Sequence, residues 1–290
     1  MVDKSPFRVI IIGAGLAGSL LANGLIRHDV DVQVYERLPK DSKREGYQIR
    51  LGAAALKGMR ACLSQDELER IVQKFGRANG SRSEAPVIYN KHFEAMLDLS
   101  TFPVYSKSAP ISRVVLRDAL AAPVSAAGKL KYGCQFSRYE ILEHGTPQER
   151  VRVWFEDGSH DDCDILIGAD GSHSKINSQI GLDNISQIQS HVSMIAKNEL
   201  ATKRYLELNP RVSQKPVIVF ADNKSLYFCA YLPEKIDDSE PSKKSFDESL
   251  SSSMFGLHVP SSQCPDNLAT LPTDEKWEFV SQALKDWSTE

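Results

Sequence analysis

The stretch from Phe7 to Arg37, FRVIIIGAGLAGSLLANGLIRHDVDVQVYER, constrains this chain more than any other. Phe7, Val9, Ile10, Ile11 and Ile12 form a short apolar run of the kind buried in the middle of a parallel sheet. Gly13, Gly15 and Gly18 follow as G-x-G-x-x-G. The first glycine allows a tight turn, and the second lets backbone approach a pyrophosphate. The third lets the next helix pack closely on the strand. That helix starts at the turn, so its unpaired N–H groups and positive dipole end face the phosphates. Val30, Val32 and Val34 predict a second strand with Glu36 at its end. An acid there accepts hydrogen bonds from both ribose hydroxyls of an adenine nucleotide. Asp29 stands at the helix exit, where glycine is more usual.

A length of 290 residues allows one large domain or two smaller ones, each with a real core. The net charge of −3 argues against nucleic acid or an anionic membrane as partner. The five cysteines are scattered and form no C-x-x-C pair, which predicts reduced thiols and a cytoplasmic protein. The histidines show no H-x-x-x-H spacing, so no metal site is expected. Charge and glycine interrupt the apolar N-terminus, and no apolar run is long enough to span a membrane. The chain therefore reads as soluble and without a signal peptide. Nothing in the sequence fixes an oligomeric state.

After a polar stretch, residues 38–45, the pattern predicts a strand over 46–51 and a helix over 53–62. Ser64-Gln65-Asp66-Glu67 is a capping box opening the next helix. A Gly/Ser/Arg-rich loop covers 76–86, with strands over 87–89 and 93–99. Ser112 caps a helix from Arg113 that Pro123 is expected to bend or end. Further strands are expected over 130–142 and 151–155, the latter turning at Asp157-Gly158. A buried strand over 163–168 then runs into Ala169-Asp170-Gly171-Ser172 and a short helix. A second hairpin turns at Asp222-Asn223-Lys224, residues 237–253 read as a mobile surface loop, and an amphipathic helix closes the chain over 274–287. Tyr231-x-x-x-Lys235 has dehydrogenase spacing, but Pro233 prevents the helix that chemistry requires.

The opening fingerprint, S-R-V-V-L-R-D-A-L at Ser112–Leu120 and D-I-L-I-G-A-D-G-S-H-S-K at Asp164–Lys175 together resemble the FAD-dependent aromatic hydroxylases. These are flavoprotein monooxygenases of the para-hydroxybenzoate and salicylate hydroxylase type, and the fungal secondary-metabolism members are the most similar in character. The resemblance implies an α/β fold: a Rossmann-like FAD-binding domain with an inserted or appended mixed β-sheet substrate domain. It implies domains at 1–182 (discontinuous, with strands 87–99 on the substrate side) and 183–272. A terminal helix, 273–290, would return toward the FAD domain. It also implies that Arg113 reaches the FAD pyrophosphate and that Asp170 lies near the flavin nucleotide and the path of NAD(P)H. A bidentate cation suits a pyrophosphate, and Gly171 suits close approach of backbone to cofactor. Gln48 lies where the family brings a loop against FAD, and Arg37 lies on the adenosine side. The expected cofactor residues are therefore Gly13, Gly15, Gly18, Glu36, Arg37, Gln48, Arg113, Asp170 and Gly171.

Two departures stand out. Asn177 occupies a position near which the family usually carries arginine, although Lys175 is close by. The family's later G-D motif, which contacts the ribityl chain and flavin phosphate, is absent: the chain contains no G-D dipeptide. It therefore reads as a member lacking its C-terminal part. The implied activity is hydroxylation or epoxidation of a small aromatic or polyketide-type substrate with FAD, NAD(P)H and O2. Tyr227, Phe228 and Tyr231 are available to the substrate face, with core packing expected for at least two of them. No catalytic base is evident. The alternatives are a catalytically impaired flavoprotein homologue and an NAD(P)-dependent dehydrogenase.

Overall fold

The computed structural model describes residues 7–42, 46–76, 85–102, 109–182, 184–235 and 245–289. The chain begins with β1 (Arg8–Ile12), α1 (Leu16–Arg27) and β2 (Asp31–Glu36). Next come β3 (Gln48–Leu51), α2 (Ala53–Cys62), α3 (Gln65–Val72), β4 (Val87–Tyr89), β5 (Ala95–Asp98) and β6 (Ala109–Ser112). The middle holds α4 (Arg113–Ala126), β7 (Leu130–Tyr132), β8 (Phe136–Leu142), β9 (Arg150–Phe155), β10 (His160–Cys163), β11 (Ile165–Gly168) and α5 (Lys175–Ile180). Then follow β12 (His191–Glu199), α6 (Thr202–Glu207), α7 (Pro210–Ser213), β13 (Val217–Ala221) and β14 (Lys224–Tyr231). The last elements are β15 (Glu234–Lys235), β16 (Ser245–Phe246), β17 (Ser252–Pro260) and α8 (Thr273–Ala283).

These elements form two units. The first comprises Met1–Glu45, Leu56–Ile71 and Val114–Ser186, and the second Gly46–Ala55, Val72–Arg113 and Gln187–Glu290. In the first unit a four-stranded sheet runs β11-β1-β2-β7, all pairs parallel. Strand β1 is central, and its side chains alternate between two cores. Ile10 and Ile12 join Tyr35, Phe136, Val153, Phe155 and Ile176 on one side. Val9 and Ile11 join Ala22, Val32, Val34 and Val124 on the other. That double burial is why β1 reads as an unbroken apolar run, and truncating Ile10 or Ile11 to Ala would cost about 2–5 kcal/mol. A three-stranded antiparallel sheet, β10-β9-β8, completes this unit.

Local chemistry explains the element ends. Asp29 takes the left-handed conformation at the exit of α1, with φ of 55°, a role open to aspartate as well as glycine. In the capping box the Glu67 carboxylate accepts from the Ser64 backbone N–H and hydroxyl, and the Glu67 N–H donates back to Ser64 Oγ. Gly158 closes the β9–β10 hairpin with φ of 81°, and Asp222 and Asn223, both at positive φ, close β13–β14.

Several expectations are corrected. The strand expected over 130–142 is two strands in different sheets, divided at Gly133, where φ is 74°. Cys163 ends β10, and β11 is a sheet edge with Ile165 46% exposed rather than a buried strand. The helix from Arg113 continues through Pro123 to Ala126. Asn23 Nδ2 donates to the Leu120 carbonyl, in the turn where proline removes a donor. The strand expected over 93–99 is confined to Ala95–Asp98, because Phe93 sits at φ of 58° in a turn. The closing helix stops at Ala283. Part of the loop expected over 237–253 lies outside the described residues, but its later part forms β16 and the start of β17, with Ser251 and Ser252 buried. The 38–45 and 76–86 stretches also lie partly outside the described residues.

In the second unit β3 pairs with β6, and a six-stranded sheet runs β12-β17-β14-β13-β4-β5. At its β5 edge the Lys215 ammonium donates to Asp98 Oδ2 at 2.7 Å, while the Ser100 N–H and hydroxyl occupy Oδ1. The Lys215 bond, then Ser100, lower the Asp98 pKa from 3.8 to about 2. Its stabilisation is therefore complete above the ordinary carboxylate pKa and is lost as pH falls through about 2. Asp98→Asn is expected to lower the urea midpoint at pH 5 and to differ little from wild type at pH 2. The gap should not exceed about 1 kcal/mol, the ceiling for a solvent-screened pair.

Candidate functional site

Six of the sequence-identified residues converge at one end of the parallel sheet. The Gly13 N–H donates to the Tyr35 carbonyl at 2.8 Å, and the Ala169 N–H donates to that of Ile12 at 2.8 Å. The turn after β1 is thereby tied to β2 on one side and to the Asp170–Gly171 turn on the other. Gly13, at φ of 104°, lies so close to that turn that a Cβ would stand 2.4 Å from the Ala169 carbonyl oxygen. A Cβ on Gly18 would stand 2.0 Å from the Gly13 carbonyl oxygen. Gly15 differs: among the described residues nothing lies within 4 Å of its Cβ position. It is also the N-cap of α1, with no side-chain cap and no acid in the first turn. This leaves the helix N-terminus open to an external anion.

Glu36 is 5% exposed. One carboxylate oxygen accepts from the Ala14 N–H and the other from the Leu38 N–H, each at 3.0 Å. The acid thus fixes the glycine turn against the end of β2. Beside it is a groove lined by Ala14, Pro39, Lys40, Ser42, Arg117, Asp118, Ala121 and Tyr132. Arg37 is exposed. Asp170 Oδ1 is buried with no hydrogen-bond partner among the described residues, and Gly171 has φ of 86°.

Gln48 and Arg113 belong to the second unit, and β3–β6 pairing puts Gln48 opposite Ser112, next to Arg113. The Arg113 N–H donates to the Tyr47 carbonyl, and its guanidinium stands 6.0 Å from the Tyr47 ring centroid. Gln48 is 2% exposed. Its amide nitrogen donates to the Ser252 carbonyl and hydroxyl, and its oxygen accepts from Cys229 Sγ. Arg117, Tyr132 and Lys40 escaped the sequence reading. The signal for Arg117 was its place one turn after Arg113, and for Tyr132 its place on the strand that pairs with β2, directly opposite Glu36.

The three aromatic residues of β14 separate. Phe228 packs with Val87, Tyr89, Val217 and Val219. Tyr231 is fully buried and donates to the Lys74 carbonyl at 2.7 Å. Tyr227 lies on the opposite face of β14 from Phe228 and is hydrogen-bonded to Arg50 and Cys229. Burial, then Cys229, raise the Tyr227 pKa, so the phenol stays neutral. Burial likewise pushes the Cys229 thiol up to about 11.

An open glycine turn at a helix N-terminus, an acid at the end of the second strand and a buried carboxylate oxygen are the features that a dinucleotide-binding site of Rossmann type requires. The residues present fit FAD: Gly15 has the open space a phosphate needs, and Asp170 Oδ1 lacks the donor a cofactor hydroxyl offers. Residues 7–229 match the FAD binding domain family, and the chain belongs to that family. It is 28% identical over 183 residues to the dual O-methyltransferase/FAD-dependent monooxygenase elcB of Phaeosphaeria nodorum, covering 62% of this chain and 19% of that one. It is 31% identical over 180 residues to 6-hydroxynicotinate 3-monooxygenase of Bordetella bronchiseptica, covering 60% of this chain and 43% of that one. Among solved structures, a Photorhabdus luminescens protein assigned as an FAD-containing monooxygenase aligns over 98% of this chain and 70% of its own, with TM-score 0.78 and 23% identity. Klebsiella pneumoniae HpxO, complexed with FAD and uric acid, aligns over 98% and 63%, with TM-score 0.70 and 21% identity. These structural likenesses show the fold, and the chain spans less than half the length of both curated relatives. Among the described residues no helix is long and apolar enough to cross a membrane.

Proposed function

We propose that this chain binds FAD and serves an NAD(P)H-dependent monooxygenase acting on a small aromatic or polyketide-type substrate in the cytoplasm. The observation that carries this is the joining of the glycine turn, Glu36 and the Asp170–Gly171 turn through backbone hydrogen bonds at one sheet end. Bound FAD, reduced by NAD(P)H, supplies the oxygen activation that hydroxylation or epoxidation requires. The protein's part is to bind and orient. Glu36 accepts from the ribose hydroxyls, and the N-terminal N–H groups of α1 take the pyrophosphate. Arg113 adds a bidentate cation. It lies one turn, about 6 Å along α4, before Arg117, which lines the groove beside Glu36. Asp170 Oδ1 accepts a cofactor hydroxyl, and Arg37 stays at the exposed adenosine side. Gln48, whose side chain is held by Ser252 and Cys229, pairs through its backbone with Ser112, directly before Arg113. The five free cysteines support the compartment, and the likeness to 6-hydroxynicotinate 3-monooxygenase supports an aromatic substrate.

The test is titration of the purified chain with FAD, followed by quenching of flavin fluorescence, then NADPH-dependent oxygen uptake with candidate phenols. Arg113→Ala is expected to weaken FAD binding about 10-fold, the loss of one charge-assisted phosphate contact. A wild-type chain that leaves flavin fluorescence unchanged would sink the reading.

A further inference from the structure

A long sheet edge presents a row of unpaired N–H and C=O groups, and folded chains shorten, bulge, cap or cover such edges. Several edges here are managed in those ways. β5 has four residues and a register shift against β4. β7 has three residues and β11 four. β8 is longer, but the Gln179 amide caps it. The amide oxygen accepts from the Tyr139 N–H at 3.0 Å, and the amide nitrogen donates to the Tyr139 carbonyl at 2.7 Å.

β12 has no such device. It runs for nine residues, pairs with β17 residue for residue without a bulge, and forms one edge of the six-stranded sheet. It contains neither proline nor glycine. Among the described residues no strand pairs with its outer edge, and none of its own residues is buried. Ile195, at its midpoint, is 54% exposed. The sequence of the strand, HVSMIAKNE, says what fits that edge. Turned about a two-fold axis at Ile195, it pairs antiparallel with itself along its whole length. Glu199 of each copy then faces His191 of the other, Lys197 faces Ser193, and the two Ile195 side chains meet at the axis. An acid faces a base, and no like charges face each other. An axis at Lys197 would instead set two ammonium groups opposite one another. His191 is already fixed in place, its Nε2 standing 3.2 Å from the Asn223 carbonyl. Exposed apolar residues flank the strand at both ends, Ile188 at 77% before it and Leu206 at 71% after it. The two-fold axis lays the start of one strand beside the end of the other, which brings each copy's Ile188 to the end that leads to the other's Leu206.

We propose that the outer edge of β12 is a homodimer interface, through which two copies of this chain join into one continuous sheet about a two-fold axis at Ile195. Backbone hydrogen bonds supply the attraction, and the side-chain pairs along the strand set the register. Such an interface is isologous, so every contact is made twice and the assembly closes at two copies. It rests on the fold and holds whether or not FAD is bound.

Sedimentation velocity of the full chain is expected to show a concentration-dependent equilibrium between monomer and dimer. Ile195→Lys and Ile195→Glu each set like charges opposite one another at the axis, and each should weaken dimerisation about 10-fold or more. Mixing the two variants in equal amounts should restore the dimer, because opposite charges then meet at the axis. Leu97→Lys, on the exposed β5 edge of the same sheet, should leave the dimer unchanged. A wild type that stays monomeric at every concentration overturns the proposal. So do charged variants that dimerise as the wild type does, a mixture that stays monomeric, or loss of the dimer in Leu97→Lys. If the charged variants do not fold, Ile195→Thr decides, since threonine keeps the strand preference of isoleucine. It should weaken association about 3-fold, and association equal to that of the wild type overturns the proposal.

Discussion

Gly18→Ala is expected to destabilise the chain by about 3 kcal/mol and to abolish FAD retention, because the added methyl has nowhere to go. Its Cβ would stand 2.0 Å from the Gly13 carbonyl oxygen and 3.2 Å from Ala169 Cβ. The first of these is backbone, so no side-chain rotation relieves it. Helix α1 would have to lift from the β1 turn. That turn is also held by the Gly13-to-Tyr35 and Ala14-to-Glu36 hydrogen bonds, so the strain reaches β2. Gly15→Ala is the matched control. Among the described residues nothing lies within 4 Å of its Cβ position, so stability should change by less than about 1 kcal/mol. FAD binding should nevertheless fall, because the methyl enters the space left for phosphate. Urea unfolding and FAD titration of both variants separate the roles. Equal stability losses at the two positions would show that the glycine turn is not packed as described.

What the sequence disclosed here was local. The apolar run of β1, the capping box at Ser64, the hairpins at Asp157-Gly158 and Asp222-Asn223 and the exit of α1 at Asp29 all depend on residues within one turn of each other. The errors came where tertiary context decided the outcome. Residues 130–142 have continuous strand character, and only the left-handed Gly133 between two different sheets divides them. β11 has the composition of a buried strand but occupies a sheet edge, a fact of topology that composition does not carry. Pro123 was expected to bend or end α4, yet the helix runs on for three residues. Alternation in β14 does put Tyr227 and Phe228 on opposite faces. It could not show that Tyr231, which shares Tyr227's parity, is sealed by Gly76, where a Cβ would stand 2.7 Å from the Tyr231 ring.

Glu36→Ala is expected to weaken FAD binding about 100-fold, corresponding to roughly 3 kcal/mol for a carboxylate holding two ribose hydroxyls. The same change should also lower stability, by a separate route. In the protein itself the carboxylate already accepts from the Ala14 and Leu38 N–H groups, and Glu36 is 5% exposed. Removing it leaves two donors short of an acceptor, each worth about 1 kcal/mol or more when buried. Glu36→Gln should fall between, because its amide oxygen can serve one N–H while its amide nitrogen faces the other. ADP distinguishes a lost ribose contact from a loosened turn. It carries the adenosine end of FAD without the flavin, so Glu36→Ala should weaken ADP and FAD by similar factors. Asp170→Ala, which removes the buried unpartnered oxygen beside Gly171, should weaken FAD and leave ADP nearly unchanged. Competition of ADP against FAD in the two variants reads both at once. If Asp170→Ala weakens ADP as much as Glu36→Ala does, the two carboxylates serve one end of the nucleotide and the assignment of Asp170 to the flavin side fails.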